Sequence, residues 1–122
     1  MDTRGKIIDL DRARTLLEHG DWIVIAGFFD PVTAAEARHL HALKREASKL
    51  MVMIEPADEA LLPADARAAL IAALRDVDAV VIANGGAQPL ASDHVCFIDD
   101  RAADRKRSEE FVEFILRREA GA

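Results

Sequence analysis

The chain has 122 residues, 51% of them apolar, and a formal net charge of −6. That length implies one domain over residues 1–122, and the apolar content argues for a packed core rather than disorder. The acidic balance excludes a general nucleic-acid binder, which needs clustered Lys and Arg to neutralise phosphates.

The densest basic patch, Asp104–Arg107 (DRKR), is surrounded by acids and reads as the solvated start of a helix. Cys96 is the one cysteine, so no intrachain disulfide forms. It lies in the apolar run HVCFI, which predicts a buried, inert thiol. The opening MDTRGK lacks the apolar core of a signal peptide, and no apolar run approaches the roughly 20 residues of a membrane span. The expectation is a cytoplasmic protein with neither a nucleic-acid nor a membrane partner.

In chain order, DLDRARTLLEHG predicts a first helix capped by Asp9 or Asp11, with Leu10, Ala13, Leu16 and Leu17 on one face. Gly20 suits its stop. Trp22–Ala26 (WIVIA) is continuously apolar, as a strand buried on both faces should be. A helix follows over about 34–48, then a second buried strand, Leu50–Ile54, closed by Glu55-Pro56. Pro63 and Asp65 fit the first turn of a helix over about 64–75.

Ala79–Ala83 is a third buried strand, broken by NGG at Asn84–Gly86, and Val95–Ile98 predicts a fourth. Phe111, Val112, Ile115 and Leu116 stripe a last helix over about 108–119. Strands separated by helices predict an α/β, Rossmann-like domain: a parallel sheet of about four to five strands flanked by helices. The loops Gly27–Val32, Glu55–Pro63 and Asn84–Pro89 should then share the rim at the strand carboxyl ends, where such sheets bind ligands.

The turn after the first long strand reads GFFDPVTAAEARHL, Gly27 to Leu40. It resembles the motif G-x-F-D-x-x-H-x-G-H-x-x-x-L of the cytidylyltransferase-like sugar-phosphate nucleotidyltransferases, with Gly27, Phe29, Asp30 and Leu40 in place. The heptose-phosphate adenylyltransferase domain is the most similar branch. GKIIDLDRARTLL resembles its helical lead-in. Pro63–Ile82 resembles its helix-plus-strand segment through Arg67, Leu70, Leu74, Val77, Asp78, Val80 and Val81. The likeness covers about residues 5–83, with a weak echo at Ser108, where the family opens a helix on the nucleotide's phosphates.

The resemblance implies a nucleotide site at Gly27, Phe28, Phe29, Asp30, Arg67 and Ser108. It also implies a homodimer or pairing with an active relative, a nucleotide or sugar phosphate as ligand, and Mg²⁺ only if the site is active.

The departures fall on the chemistry. Thr33 stands where the family has its first histidine, Ala35 replaces the glycine, and Glu36 replaces the second histidine. From Met51 to Ala66 there is no Lys or Arg where the family has a lysine. Losing one preorganised donor to a developing oxyanion costs about 3–4 kcal/mol. A glutamate about 5 Å from a phosphate charge adds about 3 kcal/mol of repulsion at an effective dielectric near 20. The residues themselves offer a structural reason for TAAE: Thr33 as N-cap and Glu36 at the third helical position form a capping box.

Other groups are weaker candidates. Glu36 and His39 have the i, i+3 spacing of metal-binding bundles, without a partner motif. His94 precedes the last strand, His19 and His41 read as surface residues, and Asp99-Asp100 reads as a Mg²⁺ pair or a helix start. The expected function is a degenerate nucleotidyltransferase-like domain, catalytically inactive and acting as a binding or regulatory module. The alternative is an active nucleotidyltransferase with a remodelled site, in which Gly27, Phe28, Asp30, Arg67 and Ser108 hold the nucleotide and His39 or His94 assists. There CTP or ATP would donate to a sugar or polyol phosphate.

Overall fold

The computed structural model describes residues 2–83, 90, 95–103 and 116. A 3-10 turn, Thr3–Lys6, leads into a two-residue strand β1 (Ile7–Ile8) and helix α1 (Leu10–Leu17). Then come β2 (Trp22–Gly27), α2 (Ala34–Glu46), β3 (Lys49–Ile54), α3 (Ala64–Ala72), β4 (Ala79–Ile82) and β5 (Cys96–Asp99). The sheet runs β1-β4-β3-β2-β5, with every neighbour parallel. This is the parallel α/β sheet expected from the alternation of apolar runs and helices. The short first strand adds to it: Ile7 and Ile8 pair with Val80 and Val81.

Strand alternation divides the core into two layers. Trp22, Val24, Ala26, Met51, Met53, Ala79 and Val81 face α1, packing on Ala13 and Leu17. Ile23, Ile25, Leu50, Val52, Ile54 and Val80 face α2 and α3, packing on Leu40, Ala68, Ile71 and Ala72. Both faces are covered, so the strands read as unbroken apolar runs rather than alternating ones. Each fully buried Ile, Leu or Val in these layers contributes about 1.5–3 kcal/mol of transfer free energy.

The helix ends follow the local chemistry. Asp9 caps α1, its Oδ1 accepting the Arg12 N–H at 2.8 Å. Gly20 takes φ +89°, a left-handed conformation that glycine adopts without strain. At the amino-end rim of the sheet, Asp78 accepts the Leu50 N–H at 2.8 Å and pairs with Lys44, tying α2 to β3 and β4.

One expectation is corrected at the sheet edge. Cys96 is exposed rather than buried. Cys96–Asp99 forms an edge strand whose residues are exposed or half-buried, so the apolar run VCFI does not signal full burial there. The loop Asn84–Pro89, His94, the basic patch at 104–107, Ser108 and nearly all of the expected last helix lie outside the described residues.

Candidate functional site

Three strand ends meet on one rim. Gly27 pairs with Ile54 and Ile54 with Ile82, while Ala26 pairs with Asp99. From β2 the chain winds through β3 to β4 on one side, and β5 then joins on the other side of β2. The order of strands therefore reverses between β2 and β5. In open α/β sheets the crevice beyond the carboxyl ends at such a reversal is where ligands bind. An open pocket of about 470 Å³ lies at that point, lined by Phe28, Asp99, Arg101 and Ala102.

The turn after β2 is tightly built. Phe29 is 1% exposed with φ +51°, an uncommon conformation for a bulky side chain. The Asp30–Pro31 peptide is cis. Asp30 is buried, and its carboxylate accepts the Leu61 N–H at 2.6 Å and the Leu62 N–H at 2.8 Å. It thereby fastens the turn to the loop after β3. Those two loops share one rim, as expected from parallel strands.

Arg67 rises from α3 into the same joint and is 2% exposed. Its Nη1 donates to Phe28 O at 2.9 Å and to Glu55 O at 3.0 Å, and its Nε donates to Leu62 O at 3.0 Å. A buried guanidinium with three carbonyl acceptors braces the rim. The resemblance implies a nucleotide contact for Arg67 and Asp30; their hydrogen bonds go to the protein's own backbone.

The start of α2 carries the capping box read from the sequence. The Thr33 N–H donates to Glu36 Oε2 at 2.9 Å, the Glu36 N–H donates to Thr33 Oγ1 at 3.5 Å, and the Thr33 hydroxyl donates to the same Glu36 carboxylate. Glu36 is 1% exposed. A helix amino end attracts anions through its unpaired N–H groups and dipole; here the carboxylate already there belongs to Glu36. Ala35, the position of the family glycine, is exposed in the first turn.

Sequence reasoning missed two residues. Arg101 follows β5 and grips Asp99, its Nε donating to Oδ1 at 2.8 Å and its Nη2 to Oδ2 at 2.6 Å. This bond holds the Asp99 carboxyl below the usual range. Glu55 reads as a strand terminator, yet it is 2% exposed and its Oε1 is buried without a hydrogen-bond partner among the described residues. Burial raises its pKa; the nearby Arg101 opposes that and Asp99 adds to it. The available signal was a glutamate directly after the apolar run Leu50–Ile54, at the rim where such sheets bind ligands.

The histidines are scattered. His39 Nε2 is buried without a hydrogen-bond partner among the described residues. His19 is exposed, and His41 is exposed beside Asp76, with Nδ1 at 3.1 Å from its carboxylate. Among the described residues, no group of three or more His, Cys, Asp or Glu side chains is placed to hold a metal ion. None of the described helices is long and apolar enough to cross a membrane.

The chain is thus a doubly wound α/β protein with a crevice at its topological switch point. No model of a known family matches it, and no curated protein does. Its structure is similar to that of the lipopolysaccharide core biosynthesis protein from Thermoplasma volcanium GSS1, with a TM-score of 0.53 and 21% sequence identity. The match covers 57% of this chain and 63% of that one. At such identity the likeness is one of fold.

Proposed function

We propose that this chain is a nucleotidyltransferase-like domain without transferase activity, serving as a binding or regulatory module in nucleotide or sugar-phosphate metabolism. The observation that carries the proposal is Glu36, 1% exposed and bonded to the Thr33 N–H at the amino end of α2. A phosphate reaching that helix end would meet a like charge in place of two histidine donors. Repulsion and lost stabilisation each cost about 3 kcal/mol, which together suppress turnover by several orders of magnitude. The fold shared with a lipopolysaccharide core biosynthesis protein supports the association with sugar-phosphate chemistry. The module would act as a homodimer or beside an active relative.

Calorimetric titration with CTP and with ATP, each with Mg²⁺, tests the proposal when combined with a pyrophosphate assay. Binding without pyrophosphate release, or no binding at all, agrees with it. Tight binding with release refutes it.

One observation favours a second reading, an active enzyme with a remodelled site. The crevice beside Phe28 carries the guanidinium of Arg101, which is part-exposed. In that reading Arg101 takes over phosphate binding, and Asp99 would hold the Mg²⁺ that accompanies the nucleotide. It requires consumption of a nucleoside triphosphate with some sugar or polyol phosphate, and loss of that turnover in Arg101→Ala.

A further inference from the structure

We propose that the outer face of α3 is the surface on which a second copy of this chain docks, the two helices running antiparallel about a two-fold axis near Ala69 and Leu70. This locates the homodimer of the proposed function and rests on that reading; the test reads mass rather than turnover, so either can fail alone.

The composition of α3 is the first reason. ADARAALIA has two charged residues, and one of them, Arg67, is buried in the rim. Arg67, Ala68, Ile71 and Ala72 form its buried side. Ala66, Ala69, Leu70 and Ala73, spaced i, i+3, i+4 and i+7, fall on the opposite side and are exposed or half-buried. The other helices point charge outward: α1 exposes Asp11, Arg12 and Arg14, and α2 exposes Arg38, His41 and Arg45. A helix that is apolar all round is one that is covered all round.

The second reason is a pair of apolar anchors. Leu70 is 49% exposed, and Leu61, in the loop leading to α3, is 57% exposed. The Leu61 N–H donates to Asp30 at 2.6 Å, so its backbone is already fixed and docking orders it at little entropic cost.

Charge selects the occupant. Asp58, Glu59 and Asp65, all exposed, surround the amino end of α3. At the carboxyl end are Arg75, exposed, and Lys6, whose ammonium donates to Leu74 O at 3.1 Å. Other charges near that end are paired: Asp76 with His41, Asp78 with Lys44 and Asp2 with Arg4. A surface acidic at one end, apolar in the middle and basic at the other complements itself after a two-fold rotation. With the axis between Ala69 and Leu70, Ala66 lies level with the partner's Ala73. Asp65 lies level with the partner's Leu74, next to the partner's Arg75. The antiparallel helix dipoles agree with this arrangement, and the alanines let the two backbones approach closely. The helix has nine residues, about 14 Å of length, so the contact is small and the dimer belongs to the weak, reversible class.

Sedimentation equilibrium of the full chain from about 10 μM to about 1 mM, the range in which weak association shows, tests this. The expected result is a monomer–dimer equilibrium. Leu70→Asp should weaken it about tenfold or more, as loss of a central anchor does, with a urea midpoint near that of the wild type because Leu70 is part-exposed. Asp65→Arg and Arg75→Asp should each weaken the dimer. The double variant should regain most of it, because reversing both ends restores opposite charges across the axis.

That recovery does not depend on the cost of either substitution to the monomer, so it decides the matter even if Leu70→Asp fails to fold. A monomer throughout the range overturns the proposal. A dimer that folded Leu70→Asp leaves intact also overturns it, and puts the contact elsewhere, such as the edge strand β5. A double variant no more dimeric than either single variant overturns it as well.

Discussion

Thr33 and Glu36 satisfy each other at the start of α2, the Thr33 N–H donating to Glu36 Oε2 at 2.9 Å and the Glu36 N–H to Thr33 Oγ1 at 3.5 Å. Removing either partner leaves helix N–H groups without an acceptor in a part-buried place. Thr33→Ala should therefore cost about 1 kcal/mol and Glu36→Ala about 1–2 kcal/mol in urea unfolding. No change in the urea midpoint for either variant would show that the cap contributes nothing.

Arg67 should be among the most sensitive positions. Its guanidinium serves Phe28, Glu55 and Leu62 carbonyls at once, where hydrogen bonds from a charged donor are worth more than neutral ones. Arg67→Ala is expected to destabilise the fold by about 3 kcal/mol or more. Arg67→Lys should recover only part of this, because an ammonium lacks the planar fork. A surface role in phosphate binding would instead leave stability near that of the wild type.

Asp30 holds the loop after β3 through the Leu61 and Leu62 amides. In Asp30→Ala both amides lose their acceptor, and their hydrogen exchange should accelerate far more than that of Val24 or Val52 in the core. The loss of stability should be about 2 kcal/mol. Unchanged exchange at the two leucines would refute the tie.

Glu55 sets a pH dependence with a definite sign. Burial raises its folded pKa above the ordinary value of 4.5, so the folded chain holds this proton more tightly than the unfolded one. Its contribution is fully present below the unfolded pKa and is lost as pH rises through the folded pKa. Asp99, lowered by Arg101, runs the other way: its contribution is present above the unfolded pKa and fades as pH falls. Glu55→Gln removes the first effect and keeps the second. The Tm of the variant should therefore gain on that of the wild type as pH rises from about 4 to about 7. A gap that stays constant over that range would contradict it.

Much of the fold was legible because two-sided burial writes long apolar runs. Trp22–Gly27, Lys49–Ile54 and Ala79–Ile82 lie within a residue of their expected bounds. Ile7–Ile8 was not legible, since a two-residue strand has no period of its own and takes its place only by pairing with β4. The exposure of Cys96 was hidden for a related reason: an apolar run does not reveal that its strand lies at an edge.

At the site, TAAE announced its cap because a capping box is local in sequence. Arg67 and Asp30 carried the resemblance, but their partners lie up to 39 residues away, and only the folded chain shows that they brace backbone. Glu55 and Arg101 were missed because their meaning depends on the reversal of strand order, which spacing along the chain does not encode.

On the proposed function, the protein's own Glu36 carboxylate closes the amino end of α2 to phosphate. It is tested most directly by measuring pyrophosphate release from CTP and from ATP with Mg²⁺, across a panel of sugar and polyol phosphates. The expected result is release no faster than in the absence of protein. Protein-dependent release with any acceptor, abolished in Arg101→Ala, would contradict it.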